Sequence, residues 1–190
     1  MKHLSFRIFA IYTLLFFTGC ATKPQSDVDT PEYHFRSGMR SVDTGNYDAA
    51  LNSFQRALDL DKKFFSAYAG LGLANAHLGN TKAAKKNIGK AVDKGSKDPD
   101  VLAICGRAWI AMRKDEKKWF KQATKILDKA LKRDKQHEAS MYYYGLAHLY
   151  KYNFSDAESY FRKVVELKGD FSGKADAQWK RSQKIVRAMP

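Results

Sequence analysis

The residues best suited to catalysis or metal binding are scattered along this chain rather than grouped. None of the five histidines pairs with a cysteine or a carboxylate at the spacing that metal ligands need. These histidines are His3, His34, His77, His137 and His148. No glycine-rich phosphate loop follows a strand-like run, and no nucleophile motif is present. The sequence therefore predicts no catalytic residue, no metal site and no cofactor, and it favours a binding function.

Cys20 follows a segment typical of exported proteins. Lys2 and Arg7 give a basic start, and the apolar run over residues 8–18 is shorter than the ~20 residues that a membrane span needs. The run ends in Phe17-Thr18-Gly19-Cys20, which resembles the lipobox of bacterial lipoproteins. This resemblance implies that residues 1–19 are a signal peptide, removed before Cys20, and that the Cys20 thiol carries a lipid. The alternative is an ordinary secretory signal in which Cys20 has no such role.

The residues after Cys20 bear on where such a lipoprotein would go. In the lipoproteins that this segment resembles, Asp after the cysteine retains the protein in the inner membrane. Ala21 stands there instead, which implies an outer-membrane protein that faces the periplasm. Residues 20–30 include Pro24 and Asp27 and little that could pack, so they predict a flexible tether between the lipid and the folded part.

The rest of the chain repeats with a period of 34 residues. Gly38, Gly72 and Gly106 are 34 residues apart, and Gly145 follows 39 residues later. Three further columns keep the same steps: Ala50, Ala84, Ala123 and Ala157; Phe54, Ile88, Leu127 and Phe161; and Ala57, Ala91, Ala130 and Val164. This self-similarity is typical of a solenoid of helix pairs, in which each pair buries its apolar face only by stacking on its neighbours.

These columns resemble the tetratricopeptide repeat (TPR). Gly45-Asn46-Tyr47 matches the turn between the two helices of the first unit, and Gly79-Asn80 matches that of the second. The resemblance implies an all-α, right-handed TPR superhelical solenoid with four helix-pair repeats and a C-terminal capping helix. The expected units are 31–64, 65–98, 99–137 and 138–171, with the capping helix over 172–190. In the third unit Arg113–Lys118 replaces the usual turn, and this insertion either reaches a partner or extends a helix.

In TPR arrays the first helix of each pair lines a concave groove that binds peptides or protein partners. The matching positions here are Phe35, Met39, Leu73, His77, Arg107, Tyr142, Leu146 and Tyr150. Of the three consecutive tyrosines, we expect Tyr142 to face the groove, Tyr144 the core and Tyr143 the remaining side. A wall that is mostly apolar, with Arg107 and His77 between its ends, suits an amphipathic helix or an extended apolar peptide.

Much of the positive charge is expected on the second helices of units two and three. The formal net charge is +14 at pH 7, and lysines four residues apart share one face of a helix. The basic face is predicted to comprise Lys82, Lys86, Lys90, Lys117, Lys121, Lys125 and Lys129. These lysines either keep the protein soluble or bind an anionic lipid or envelope polymer. Nucleic acid is not expected as a partner, because export removes the chain from it.

The residues and the TPR resemblance together favour a membrane-anchored protein–protein interaction scaffold over an enzyme. The expected partner is an envelope protein with a peptide segment that lies in the groove. Pilotin-like TPR lipoproteins suggest a secretin, and adaptor-like ones suggest a peptidoglycan enzyme. An alternative is a module that binds anionic lipid or polymer through the basic face, and another is coupling to the solute-binding protein of a transporter. The sequence leaves the oligomeric state open.

Overall fold

The computed structural model describes residues 29–95 and 97–188, and these residues form nine α-helices, one short 3₁₀ turn and no strand. The helices are α1 (Pro31–Asp43), α2 (Tyr47–Leu60), α3 (Phe65–His77), α4 (Thr81–Gly95), α5 (Pro99–Ala111), α6 (Trp119–Arg133), α7 (Glu138–Tyr150), α8 (Phe154–Leu167) and α9 (Ser172–Arg187). Each helix packs against the next, and the odd-numbered helices also pack against one another in order. The predicted all-α solenoid of four helix pairs and a terminal helix is confirmed.

The repeated glycines meet the repeated large residues inside each helix pair. A Cβ atom added to Gly38 would lie 2.5 Å from the Phe54 ring, and one added to Gly106 would lie 2.6 Å from Leu127. Gly72 faces Ile88 and Gly145 faces Phe161 in the same way. Atoms that close would overlap, so each pair keeps its spacing only while the first helix carries no side chain there. The repeated spacing in the sequence therefore reflects one contact, between a glycine and a large apolar side chain, that recurs in each helix pair.

The turns inside the helix pairs use left-handed backbone at equivalent positions. Gly45 has φ of +79° and Gly79 has φ of +76°, whereas Tyr152 stands at the corresponding place in the fourth unit with φ of +64°. Asn46, which follows Gly45, caps α2 by accepting a hydrogen bond from the backbone N–H of Ala49 at 3.2 Å. Asn153 makes no such bond to α8, so an asparagine side chain caps the second helix in the first unit but not in the fourth.

The insertion of the third unit packs back onto the array. Met112–Lys114 continues α5 as a 3₁₀ turn in which Met112 is fully buried. Glu116 forms an ion pair with Lys85 of α4, and Trp119 at the start of α6 is buried. The sequence left two interpretations of the insertion open. The first residues of the insertion extend the first helix of the unit, as one of the two interpretations expected.

The described chain begins at Asp29, which is tied to the first helix pair. The Asp29 carboxylate accepts a hydrogen bond from Arg56 Nε of α2 at 3.1 Å and lies 2.8 Å from His34 Nε2 of α1. Thr30 caps α1 through its hydroxyl oxygen, which accepts from the backbone N–H of Tyr33. The last two residues of the predicted tether therefore belong to the array, while the signal peptide, Cys20 and the tether up to residue 28 lie outside the described residues.

The terminal helix α9 is docked through its connection to α8. Glu138 of α7 accepts hydrogen bonds from the backbone N–H groups of Gly169 and Phe171, at 2.8 and 3.3 Å. Ala175 of α9 is fully buried, and α9 packs against α8 and α7. Trp179 and Ser182 lie on the core-facing side of α9, whereas Ile185 and Val186 are exposed.

Candidate functional site: a groove along the odd-numbered helices

Two clefts lie side by side on the odd-numbered helices. The first, called the Arg107 cleft, has a volume of about 360 Å³ and is lined by Asp43, Arg107, Tyr142, Tyr143, Leu146, Phe171 and Lys174. The second, called the Phe35 cleft, has a volume of about 300 Å³, and its walls include Phe35, Met39, Phe64, Ala103, Ile104 and Asp100. Tyr143 and Phe171 line both clefts, so together the clefts form one groove from α1 to α9.

Arg107 holds the middle of the groove across distant parts of the chain. Its Nη2 donates a hydrogen bond to Asp43 Oδ1 of α1 at 3.0 Å, although the two residues are 64 positions apart. Its guanidinium also lies 5.8 Å from the centre of the Tyr143 ring on α7. One side chain of α5 thus contacts α1 on one side and α7 on the other.

The tyrosines of the groove are neutral at physiological pH. Burial raises the pKa of Tyr142 to about 12, and burial also raises the pKa of Tyr143. The charged groups that remain in the Arg107 cleft are Arg107, Lys174 and Asp43, and Asp43 already accepts from Arg107. The cleft therefore combines apolar and aromatic walls with an excess of positive charge.

Five of the eight groove residues expected from the sequence line these clefts: Phe35, Met39, Arg107, Tyr142 and Leu146. Leu73 does not, because it is fully buried inside the solenoid. His77 stacks on Tyr47, with ring centres 4.5 Å apart, and the guanidinium of Arg113 lies 4.2 Å from the centre of the Tyr150 ring. His77 and Tyr150 therefore lie at the turns, outside both clefts.

The composition of α3 explains why the second unit contributes so little to the groove. Its residues from Ala69 to Ala74 are all buried, and most of them are alanine or glycine. Small side chains let α1 and α5 pack closely on either side of α3, and the Asp43–Arg107 bridge then joins those two helices. Leu73 lies beneath this arrangement instead of on its surface.

Sequence reasoning missed four residues of the Arg107 cleft: Asp43, Tyr143, Phe171 and Lys174. Tyr143 was expected on the remaining side of α7, facing neither the groove nor the core, yet it lines both clefts. Tyr144 was expected in the core, yet it is only partly buried and its hydroxyl donates to Asp128 Oδ1 of α6 at 3.0 Å. The three consecutive tyrosines were a usable signal, but their orientation depends on the rotation of α7 in the array.

The lysines of the predicted basic face are exposed, and the cysteine of α5 is buried. All seven of the lysines assigned to that face are exposed, but Lys117 lies in the turn before α6 and not on that helix as expected. Cys105 is buried, and burial raises the pKa of its thiol to about 12, so the reactive thiolate is not populated at neutral pH. Among the described residues, no group of three or more His, Cys, Asp or Glu side chains is placed to hold a metal ion. None of the helices there has the length and apolar character that a membrane crossing requires.

Comparison with known proteins identifies the fold. A family model described as a TPR repeat matches residues 38–79. A thermophilic TPR protein from Thermus thermophilus superposes with a TM-score of 0.69 at 18% identity, over 82% of each chain. PilF from Pseudomonas aeruginosa superposes with a TM-score of 0.62 at 19% identity, over 83% of this chain and 69% of PilF. No curated protein sequence matches the chain.

A third similar structure is MamA from Desulfovibrio magneticus RS-1, with a TM-score of 0.51 at 21% identity over 73% of this chain and 75% of that chain. At sequence identities this low, the similarity to these structures shows the fold alone. The chain is an all-α TPR solenoid. That fold supports a protein–protein interaction scaffold in general, because an array of stacked helix pairs presents one long, continuous surface.

Proposed function

We propose that this TPR array is a lipid-anchored scaffold of the bacterial envelope that binds a peptide segment of a partner protein in its groove. The observation that carries the proposal is the pair of clefts joined at Tyr143 and Phe171. Aromatic and aliphatic side chains line both, and Arg107 lies in one of them. Partly desolvated aromatic and arginine side chains of this kind dominate binding energy at protein interfaces.

The shape of the groove defines the segment that it would accept. The two clefts lie within the size range of ligand pockets, and each has room for at least one bulky apolar side chain of the partner. Arg107 and Lys174 face the first cleft and would attract a carboxylate placed beside the apolar group. The preferred segment therefore carries two apolar side chains with an acidic residue next to one of them.

The anchor is a separate part of the proposal and rests on the sequence. The segment ending in Cys20 has the features of a lipoprotein signal, and the array begins at Asp29, which Arg56 and His34 bind. The eight residues between Cys20 and Asp29 span no more than about 30 Å when extended. A lipid on Cys20 would therefore hold α1 and α2 close to the membrane, on the outer membrane if Ala21 acts as it does in the lipoproteins that this segment resembles.

The first test asks whether the groove captures an envelope protein. Met39→Ala and Leu146→Ala each remove an apolar side chain from one cleft, and Leu78→Ala removes one from an exposed turn outside both. After crosslinking in intact cells, we expect one specific protein to be recovered with the parent chain and with Leu78→Ala, and to be lost with both groove variants. The same partner, once purified, should show the same ranking in direct binding.

Equal recovery of that partner by all variants would contradict groove binding, and so would dependence on the basic-face residues Lys121 and Lys125. The identity of the captured protein separates the two partner classes, because a secretin indicates the pilotin-like version and a peptidoglycan hydrolase or synthase indicates the adaptor-like version. The anchor is tested independently by Cys20→Ser, which should move the protein from the membrane fraction to the soluble fraction. An unchanged membrane fraction would contradict lipidation while leaving the groove proposal intact.

A further inference from the structure

A third cleft lies on the second helix pair and is lined by lysines from two separate segments. Lys62 and Lys63 come from the turn before α3, and Lys90 and Lys94 come from α4. Phe65 and Tyr68 of α3 lie between them, and the volume is about 420 Å³. This space, called the lysine cleft, shares no lining residue with the Arg107 cleft or the Phe35 cleft.

The charge of the lysine cleft is not balanced by the protein around it. Asp93 is the one acidic residue in its lining, against four lysines. The nearby Asp61 is engaged in the turn, where its carboxylate accepts a hydrogen bond from the backbone N–H of Lys63 at 2.8 Å. Elsewhere in the described chain lysines do form ion pairs, as Lys85 does with Glu116 and Lys180 with Asp176. None of the four lysines of this cleft does so with a described residue.

Two further features favour an anion in this cleft. Lys90 Nζ lies 4.9 Å from the centre of the Tyr68 ring, so the ring positions that ammonium group at the cleft wall. Helix α3 begins at Phe65, and no side chain caps it. The positive end of a helix adds to the attraction that the lysines exert on a negative group. Four like charges line one space beside a single acidic residue, and a bound anion reduces the repulsion among them.

We propose that the lysine cleft binds a phosphate group. A phosphate monoester offers three acceptor oxygens and a charge near −2 at neutral pH, which lets it contact several ammonium groups at once, whereas a carboxylate offers two oxygens and a single charge. Lysine is a common phosphate-binding residue. The cleft is larger than a phosphate group, and Phe65 and Tyr68 give it an apolar wall for the molecule that carries the phosphate. That molecule is either a soluble phosphate ester or a phospholipid headgroup.

This site is distinct from the proposed peptide groove, and its test does not depend on the outcome for that groove. The tether also bears on where the bound phosphate would come from. A lipid on Cys20 would keep the first helix pair near a membrane, and Lys62 and Lys63 of the lysine cleft lie in the segment that follows α2. The experiment therefore has one arm for free phosphate and one for lipid.

The first arm titrates the purified full chain with inorganic phosphate and follows backbone amide signals by NMR. We expect saturable shifts confined to residues 62–68 and 90–94. The variant Lys63→Gln with Lys94→Gln should weaken binding by about tenfold or more, since charge-assisted contacts to phosphate are lost. The matched variant Lys125→Gln with Lys129→Gln removes the same charge from exposed positions on α6 and should stay within about twofold of the parent. Circular dichroism of both variants checks that the helices are intact.

The second arm uses the Cys20→Ser full chain, so that acylation does not attach the protein to lipid, and vesicles of phosphatidylcholine with or without phosphatidic acid. Co-sedimentation that needs phosphatidic acid and is lost in Lys63→Gln with Lys94→Gln identifies a lipid headgroup as the source. Localised binding of inorganic phosphate without vesicle binding identifies a soluble phosphate ester. The proposal is overturned if phosphate causes no localised shifts. It is also overturned if both double variants weaken binding equally, because binding would then depend on the net charge of the protein and not on this cleft.

Discussion

At the scale of single residues, the bridge between Asp43 and Arg107 connects the fold to the groove. Asp43 is more exposed than Arg107, with side-chain exposures of 56% and 23%. An exposed partner in an ion pair contributes little stability, but it occupies the donor that a ligand carboxylate would need. Asp43 therefore competes with any acidic group of the bound segment, and the peptide groove should prefer segments whose carboxylate reaches Arg107 better than Asp43 does.

Replacement of Asp43 measures how much the bridge to Arg107 contributes to stability. Asp43→Ala should lower the free energy of unfolding by no more than about 1 kcal/mol, and that loss should shrink at high salt because exposed charges are screened. Urea unfolding at low and high ionic strength measures it. Glu166→Ala, which changes an exposed acidic residue of α8 outside the groove clefts, is the control. Identical salt dependence of the two variants would show that the bridge adds nothing beyond a general surface charge.

Tyr152 is a large side chain at a position where the equivalent turns have glycine. Its φ of +64° is unfavourable for a residue with a Cβ, and the side chain is 76% exposed. Tyr152→Gly should therefore raise the free energy of unfolding by about 1 kcal/mol, measured by urea unfolding. The reverse change, Gly79→Tyr at φ of +76°, should lower it. A loss of stability in Tyr152→Gly would mean that the Tyr152 ring, which lies 6.2 Å from that of Phe154, outweighs the backbone strain.

His77 should make the array less stable in mild acid. Burial lowers the pKa of His77, and the positive charges of Arg107 and Arg113 lower it further. The folded state then takes up a proton at lower pH than the unfolded chain does, so the stabilising effect of His77 is complete above about pH 6.5 and is lost as the pH falls through the folded pKa. His77→Gln should reduce the drop in the urea midpoint between about pH 7 and pH 5. An unchanged drop would assign the effect to other groups.

At the scale of helices, replacement by alanine should have opposite effects on stability at two helical glycines, Gly106 and Gly89. A Cβ at Gly106 of α5 would lie 2.6 Å from Leu127 of α6, whereas a Cβ at Gly89 of α4 meets nothing within 4 Å. Gly106→Ala should destabilise the protein by about 1–3 kcal/mol through overpacking, and Gly89→Ala should stabilise it by up to about 1 kcal/mol through helix propensity. Thermal and urea unfolding give both values. The same sign for both variants would contradict the packing role assigned to the repeated glycines.

The sequence predicted the helix pairs well because their contacts recur at a fixed step. Gly38 against Phe54 and Gly145 against Phe161 are local contacts within one pair, and a repeated column identifies both partners. The groove was only partly predictable. Leu73 is buried because α1 and α5 approach across α3, and Tyr143 lines the groove because of how α7 is rotated. Such features depend on the packing of several helices together, which no single repeat encodes. The lipid anchor at Cys20 stays a prediction.

At the scale of the whole array, the core divides into two apolar clusters that meet at α5 and α6. One contains buried residues from Val42 to Ala130, and the other contains buried residues from Ala103 to Ala175. In a solenoid, each unit depends mainly on its neighbours, so damage at one end spreads only gradually. The Asp43–Arg107 contact is an exception, since it joins the first unit to the third. The array should therefore lose structure unevenly from its C-terminal end.

Removal of α9 tests whether the array loses structure from its C-terminal end, and whether the groove depends on the terminal helix. A chain that stops after Phe171 lacks Ala175 from the second cluster and Lys174 from the Arg107 cleft. Amide hydrogen exchange should rise by about tenfold or more in α7 and α8 and much less in α1–α4, and capture of the partner should fall. Val186→Ser, which alters an exposed position of α9, should change neither. Uniformly faster exchange throughout would show that the array unfolds as one unit, and the groove would then depend on the stability of the whole protein and not on local support by α9.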